Sequence, residues 1–135
     1  MSRPEEAVWL IEQLGKNPRL RMVYDYSHYI FREMSLDETV RTALPFTAHV
    51  AVKDTVQQGK RAVFVLPGES GNIDYLKLFK LLRAGKYRGD VCCEVSGMVW
   101  SKKDYDPAAA ARRCYRNLAA VFVKAGLRRK QPKTT

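Results

Sequence analysis

Residues 47–53 read Thr-Ala-His-Val-Ala-Val-Lys, "TAHVAVK". Small and β-branched apolar residues fill the run, broken by His49 and ended by Lys53. A strand with one wet face alternates strictly between apolar and polar residues. A near-continuous apolar run reads instead as a strand of a parallel sheet with helices packed over it. "DVCCEV" at 90–95 has the same character, and "RLRMVYD" at 19–25 supplies an earlier strand. A sheet covered by helices on at least one face is therefore expected.

Helix patterns separate these strands. Ser2-x-x-Glu5 can form a capping box with Pro4 in the first turn. Ala7, Leu10, Ile11 and Leu14 then fall on one helical face, Gly15 closes the helix, and Asn17-Pro18 turns the chain. Ser35-x-x-Glu38 repeats the cap, with Leu36, Val40, Ala43 and Leu44 as the apolar face and Pro45 as the stop. Asp74 can cap a third helix, whose stripe is Tyr75, Leu78, Phe79 and Leu82 and whose end is Gly85. Asp106-Pro107 opens a fourth with Cys114, Leu118, Val121 and Ala125 on one face and Gly126 at its end. Residues 54–72 read as a long loop in which "RAVFV" at 61–65 makes a β-like excursion off the main sheet. The order α-β-α-β-α-β-α implies parallel pairing through right-handed crossovers. The expected class is α/β, with three parallel strands and four helices.

Length and composition set the bounds. The 135 residues, 46% of them hydrophobic, suit one globular domain. No apolar run approaches the ~20 residues that span a bilayer. The opening Met1-Ser2-Arg3-Pro4-Glu5-Glu6 lacks a signal-peptide core, so a cytoplasmic protein without membrane contact is expected. Cys92, Cys93 and Cys114 are odd in number, two of them adjacent in an apolar run. They read as small buried hydrophobes in a reducing compartment. The net charge is +10, of which Arg128, Arg129, Lys130 and Lys133 supply four. The domain is expected over 1–127, followed by a basic disordered tail at 128–135. A basic face can meet nucleic acid, but a solvated face without a partner is the commoner case.

In parallel α/β folds, sites form at the carboxyl ends of strands. The first strand ends in Asp25 with His28 just beyond, the second holds His49 and ends in Lys53-Asp54, and the third carries Glu94. Each delivers a polar, ligand-capable residue to the same edge of the sheet. Asp25 and His28 read either as part of a metal or substrate site or as a turn cap beside a surface histidine. Glu94 is the strongest candidate, because an acid in so apolar a strand is costly to bury without a cation or hydrogen bonds. Carboxylates with imidazole suit a divalent ion such as zinc, manganese or magnesium. Such a site suits isomerisation or epimerisation of a hydroxy-carbonyl compound through an enediol, or hydrolysis of a phosphoester.

The order Asp25-x-x-His28, "HVAVKD" (49–54), "LPGESGNIDY" (66–75) and "AGKYRGDVCCEVSG" (84–97) resembles the C-terminal part of the sugar phosphate isomerase/epimerase family. These are xylose isomerase-like TIM barrels, a superfamily that also holds the endonuclease-four type of repair enzyme. The resemblance covers residues from about 5 to 126 and implies a partial (β/α)8 barrel made of roughly the last three βα units. It implies a divalent metal held by Asp25 and Glu94, with Glu94 also the acid/base, and His28 as a metal or substrate contact. The family's third-strand histidine would fall at Ala51; either His49, two residues earlier on the same face, substitutes from one layer deeper, or the metal site is altered or lost. Asp54 and Glu69 are possible compensating ligands. Lys53 and Glu69 are candidate contacts to a sugar or sugar-phosphate substrate, and Lys53-Asp54 could equally be a strand-end salt bridge.

A full barrel takes ~250 residues, and three strands cannot close one. The family's first metal-binding glutamate would lie upstream of Met1. The expectation is a site incomplete and inactive in the isolated chain, which is complemented by a separate half-barrel chain, covers its edges by self-association, or is a truncated reading frame with little activity. Two other functions compete: a non-catalytic interaction module, and an endonuclease-four-like DNA-binding protein. The latter lacks the additional histidine ligands of that group, so nucleic acid is not the expected partner.

Overall fold

The computed structural model describes residues 3–128. Helix α1 (Pro4–Gln13) leads to strand β1 (Met22–Tyr24), helix α2 (Leu36–Ala43) and strand β2 (Thr47–Val52). A hairpin of β3 (Asp54–Gln58) and β4 (Arg61–Val65) precedes α3 (Tyr75–Ala84). Strand β5 (Asp90–Cys93), the single turn α4 (Gly97–Trp100) and the long α5 (Pro107–Lys124) follow. The main sheet has the order β1-β2-β5 and is parallel throughout, as alternation of helix and strand requires. No helix among the described residues is long and apolar enough to cross a membrane. The expected basic tail lies outside the described residues except for Arg128, and so does Ser2 of the expected first capping box.

The helices start where their caps stand. Ser35 accepts from the Glu38 amide at 3.1 Å, Asp74 from the Lys77 amide at 2.8 Å, and Asp106 from the Ala108 and Ala109 amides at 2.8 and 3.0 Å. At α1 the cap position is Arg3, which makes no side-chain cap, and Pro4 opens the helix. The α1 face also differs from the expected one. Pro4 and Ile11 are buried and Ala7 and Val8 pack on the core, while Leu10 and Leu14 are exposed. The helix lies rotated by about one position, because Pro4 supplies the first buried contact.

Between the helices and the sheet, one face of the strands builds the core. Tyr24, Val50 and Val52 pack with Leu36, Val40, Leu78, Phe79, Leu82 and Leu118. All four residues expected on the α3 stripe are buried. A core tyrosine needs a partner for its hydroxyl, and Tyr24 meets the Thr39 hydroxyl at 2.9 Å. Between α2 and α3 an ion pair joins Asp37 and Lys77. Gly89 admits β5 beside β2: a Cβ there would collide with the Ala48 carbonyl and the Tyr87 hydroxyl.

Three local expectations are corrected. Residues 54–58, expected as loop, pair antiparallel with 61–65 as a hairpin. Gly59, with φ of 58°, opens its two-residue turn. The polar loop after β5 contains the helical turn α4, capped by Ser96. Cys92 and Cys93 are exposed, and only Cys114 is buried. Strand β5 has a neighbour on one side only, so its thiols lack the cover that a central strand would enjoy.

Candidate active site

Strand periodicity sorts the sheet into two faces. Val50 and Val52 point to the helices, so His49, Ala51 and Lys53 point the other way. The register aligns this second face with Val23 and Asp25 on one side and with Cys92 and Glu94 on the other. Three parallel strands thus bring Asp25, Lys53 and Glu94 to one rim at their carboxyl ends.

The three side chains form a chain of charge. The Lys53 Nζ lies 2.6 Å from Glu94 Oε1 and 3.1 Å from Asp25 Oδ2. Lys53 is only 5% exposed and Asp25 7%, whereas the Glu94 side chain is 44% exposed. An ammonium hidden this far needs opposite charge nearby. Burial alone would depress its pKa. The hydrogen bond to Glu94 and the charge of Asp25 outweigh that and hold it above the ordinary lysine value.

The strand exit and the hairpin fix Lys53 further. Its carbonyl accepts from the Tyr75 hydroxyl at 3.0 Å, and the Phe64 ring from β4 covers its Nζ at 4.5 Å from the ring centre. The same ring meets His28 edge-on at 5.2 Å. Asp25 plays two parts. Its Oδ1 accepts from the Ser27 amide at 2.9 Å and caps a 3-10 turn over Tyr26–His28, while Oδ2 faces the cleft. Oδ2 receives no well-directed hydrogen bond; it is held by Lys53, with His28 Nε2 at 3.5 Å. The turn cap and the site are therefore one arrangement. The cleft, ≈ 550 Å³, is lined by Val23, Asp25, His28, Tyr29, Arg32, Lys53 and Glu94.

The remaining candidates lie elsewhere. His49 is level with Val23 and Asp90, deeper than Asp25. It stands four residue steps before Lys53, about 13 Å along the strand direction. Glu69 is engaged away from the rim: one oxygen accepts from the Leu66 amide at 3.2 Å and the other pairs with Arg113 of α5 at 3.2 Å. Asp54 is fully buried on the opposite side from Lys53, and its carboxylate accepts from the Thr55 and Ser70 amides. It ties the hairpin to the glycine-rich loop and forms no ion pair with Lys53. Phe64 escaped the sequence reading; the only available signal was an aromatic residue in a hairpin next to a strand end.

Among the described residues, no three His, Cys, Asp or Glu side chains gather as a metal site. Two carboxylates converge, but the third position on their face is Ala51, and a lysine ammonium stands between them. This donor set does not fit a divalent ion as it is arranged. Cys93 is exposed as a residue, but its sulfur lies beside Cys114 in an apolar cavity, and desolvation first, then Cys114, pushes that thiol up to about 12, a poor nucleophile.

Comparison with known proteins gives this geometry a family. The sequence profile of the xylose isomerase-like TIM barrel family matches residues 1–118. The Mus musculus protein named "Putative hydroxypyruvate isomerase" is 29% identical over 113 residues, covering 78% of this chain and 38% of that protein. The Homo sapiens protein of the same name is 26% identical over 113 residues, with the same coverage. An L-ribulose 3-epimerase structure superposes with a TM-score of 0.68 at 18% identity, over 93% of this chain and 43% of the other. A 3-keto-D-glucoside 4-epimerase from E. coli gives 0.60 at 20% identity, over 91% and 40%. At these identities the two structures speak for the fold alone. The chain spans about two fifths of the length of the relatives it matches.

Proposed function

The chain belongs to the xylose isomerase-like TIM barrel family, and from that premise we propose that its rim serves an isomerase or epimerase acting on a hydroxy-carbonyl sugar or sugar phosphate. One observation carries the reading: Asp25, Lys53 and Glu94 converge on one cleft from the ends of three parallel strands. Supporting it, the relatives and structural neighbours carry isomerase and epimerase names.

Glu94 is the proposed proton carrier. It is the exposed member of the trio, and only one of its oxygens is taken by Lys53. Its carboxylate removes the proton from the carbon beside the carbonyl, and the C–H electron pair becomes the enediolate. Return of the proton to the neighbouring carbon, with the hydroxyl proton passed between the two enediolate oxygens, isomerises; epimerisation needs a second acid on the opposite face, which the completing part of the barrel would supply and which takes up a proton again as Glu94 releases its own. Lys53 orients Glu94 through its 2.6 Å contact and lies where it can face the enediolate oxygen. Asp25 anchors Lys53, and half-exposed His28 is the proposed contact for a substrate hydroxyl.

The reaction is proposed to need a completed barrel. β1 and β5 each keep one unpaired edge in the described sheet. Five further strands, contiguous or from another polypeptide, would close it. The test is deuterium wash-in followed by 1H NMR in D2O, starting with hydroxypyruvate. The 135-residue chain alone should exchange the C–H proton at the background rate. The chain joined to or co-expressed with five βα units should exchange it faster, and Glu94→Gln should remove that gain. Exchange unaffected by Glu94→Gln would overturn the assignment of Glu94. Turnover by the monomeric chain alone would overturn the need for completion.

A further inference from the structure

The rim has an inhabitant where the family resemblance implies an ion. We propose that the Lys53 ammonium is the resident cation of this site and fills the seat between Asp25 and Glu94 that a divalent metal would otherwise take. The inference rests on reading the rim as the barrel-mouth site, but its test does not depend on activity.

Three independent observations converge. The first is position: Nζ touches both carboxylates at once, at 2.6 and 3.1 Å. A metal shared by the same oxygens would lie about 2.0–2.2 Å from each, so the two cations compete for one gap. The second is enclosure. Phe64 closes over Nζ at 4.5 Å, and Lys53 is 5% exposed, so the ammonium cannot step aside without dragging its charge past an aromatic ring. The third is the donor set. On this face the position level with Asp25 is Ala51 and His49 lies a layer deeper, so the strands offer the gap two acids, with the His28 imidazole flanking them 3.5 Å from Asp25 Oδ2. Alanine at 51 and lysine at 53 complement each other: one strand donor fewer weakens the hold on a metal, and the tethered cation occupies the gap in its place.

The replacement changes what the site can do. An ammonium carries one charge and three N–H donors. It balances one of the two carboxylates, and Arg32, which lines the same cleft, brings a second positive charge to the rim. Lys53 is thus a positioning residue: it fixes the direction of Glu94 and supplies the only cation that touches both acids among the described contacts.

The experiment is a Mn2+ titration of the 135-residue chain followed by electron paramagnetic resonance of the free ion. The wild type should leave the Mn2+ signal undiminished. Lys53→Met, which keeps the apolar stem and removes the charge, should expose the two acids and take up one Mn2+ per chain. Uptake by the wild type would overturn the proposal, because the seat would then be open. Absence of uptake by both proteins would overturn it too, because the gap would not be a cation seat. If Lys53→Met fails to fold, amine acetylation of the wild type decides by peptide mass spectrometry. Lys53 should be the slowest lysine to react, with or without Mn2+. Reaction at the rate of exposed lysines, or acceleration by Mn2+, would contradict it. Loss of isomerase activity in a completed barrel would bear on the functional reading and leave these outcomes unchanged.

Discussion

The two faces of the parallel sheet are made by the same three strands and finished in opposite ways. On the helix side, Tyr24, Val50 and Val52 vanish beneath α2, α3 and α5. On the other side, Val23 is 62% exposed, Cys92 is exposed, and cover comes only at the carboxyl end, from Phe64 and the trio around Lys53. The difference separates two tasks. Apolar burial holds the sheet together and is indifferent to which end of a strand it acts on. Paired charge is confined to one end, where it can meet a ligand.

Substitutions on the two faces should differ in size and in kind. Phe79→Ala on the closed face removes a fully buried ring that packs on Tyr75 and Phe122. It should cost about 3–5 kcal/mol in urea unfolding, and a loss below about 1 kcal/mol would mean that the helix layer does not hold the sheet. Next comes Lys53→Met, which strips buried Asp25 of its ammonium and leaves its Oδ2 the His28 imidazole at 3.5 Å. Breaking a buried pair costs about 3–5 kcal/mol, and the exposure of Glu94 to water places the expected loss at the lower end, near ~3 kcal/mol. Adding Asp25→Asn should recover part of it; an additive loss in the double variant would contradict the pairing.

Alkaline unfolding sharpens the contrast further. Lys53 holds its proton more tightly folded than unfolded, so its contribution is full at neutral pH and fades as pH rises beyond 10.5. Tyr24 and Tyr75 are also raised, chiefly by burial, and act in the same direction. Stability should be level through neutral pH and fall steeply above about pH 10, a fall that Lys53→Met should make shallower. An unchanged slope in that variant would count against the paired ammonium. The smallest effect belongs to the open face: Val23→Thr should stay within about 0.5 kcal/mol, and a loss near that of Phe79→Ala would mean that this face is covered in solution.

The sequence carried much of this because each signal was local. Capping serines and aspartates fixed the starts of α2, α3 and α5, and the α3 stripe could be read from spacing alone. The rule that sites form at the carboxyl ends of parallel strands brought Asp25, Lys53 and Glu94 to one edge of the sheet from sequence alone. What it missed depends on contacts between distant residues. Lys53 pairs with Glu94 across 41 positions, and Phe64 reaches Lys53 only because residues 54–58 fold back as a strand. The likeness of "DVCCEV" to a covered strand misled for a related reason: burial depends on neighbours, and β5 has a partner strand on one side only.

Lysine-ammonium NMR on the 15N-labelled chain tests the rim most directly. One ammonium resonance should be protected from solvent exchange at neutral pH, assigned to Lys53 by its absence from Lys53→Met, and it should lose protection in both Asp25→Asn and Glu94→Gln. An ammonium at position 53 that exchanges as fast as the surface lysines, or one indifferent to both acids, would contradict the account.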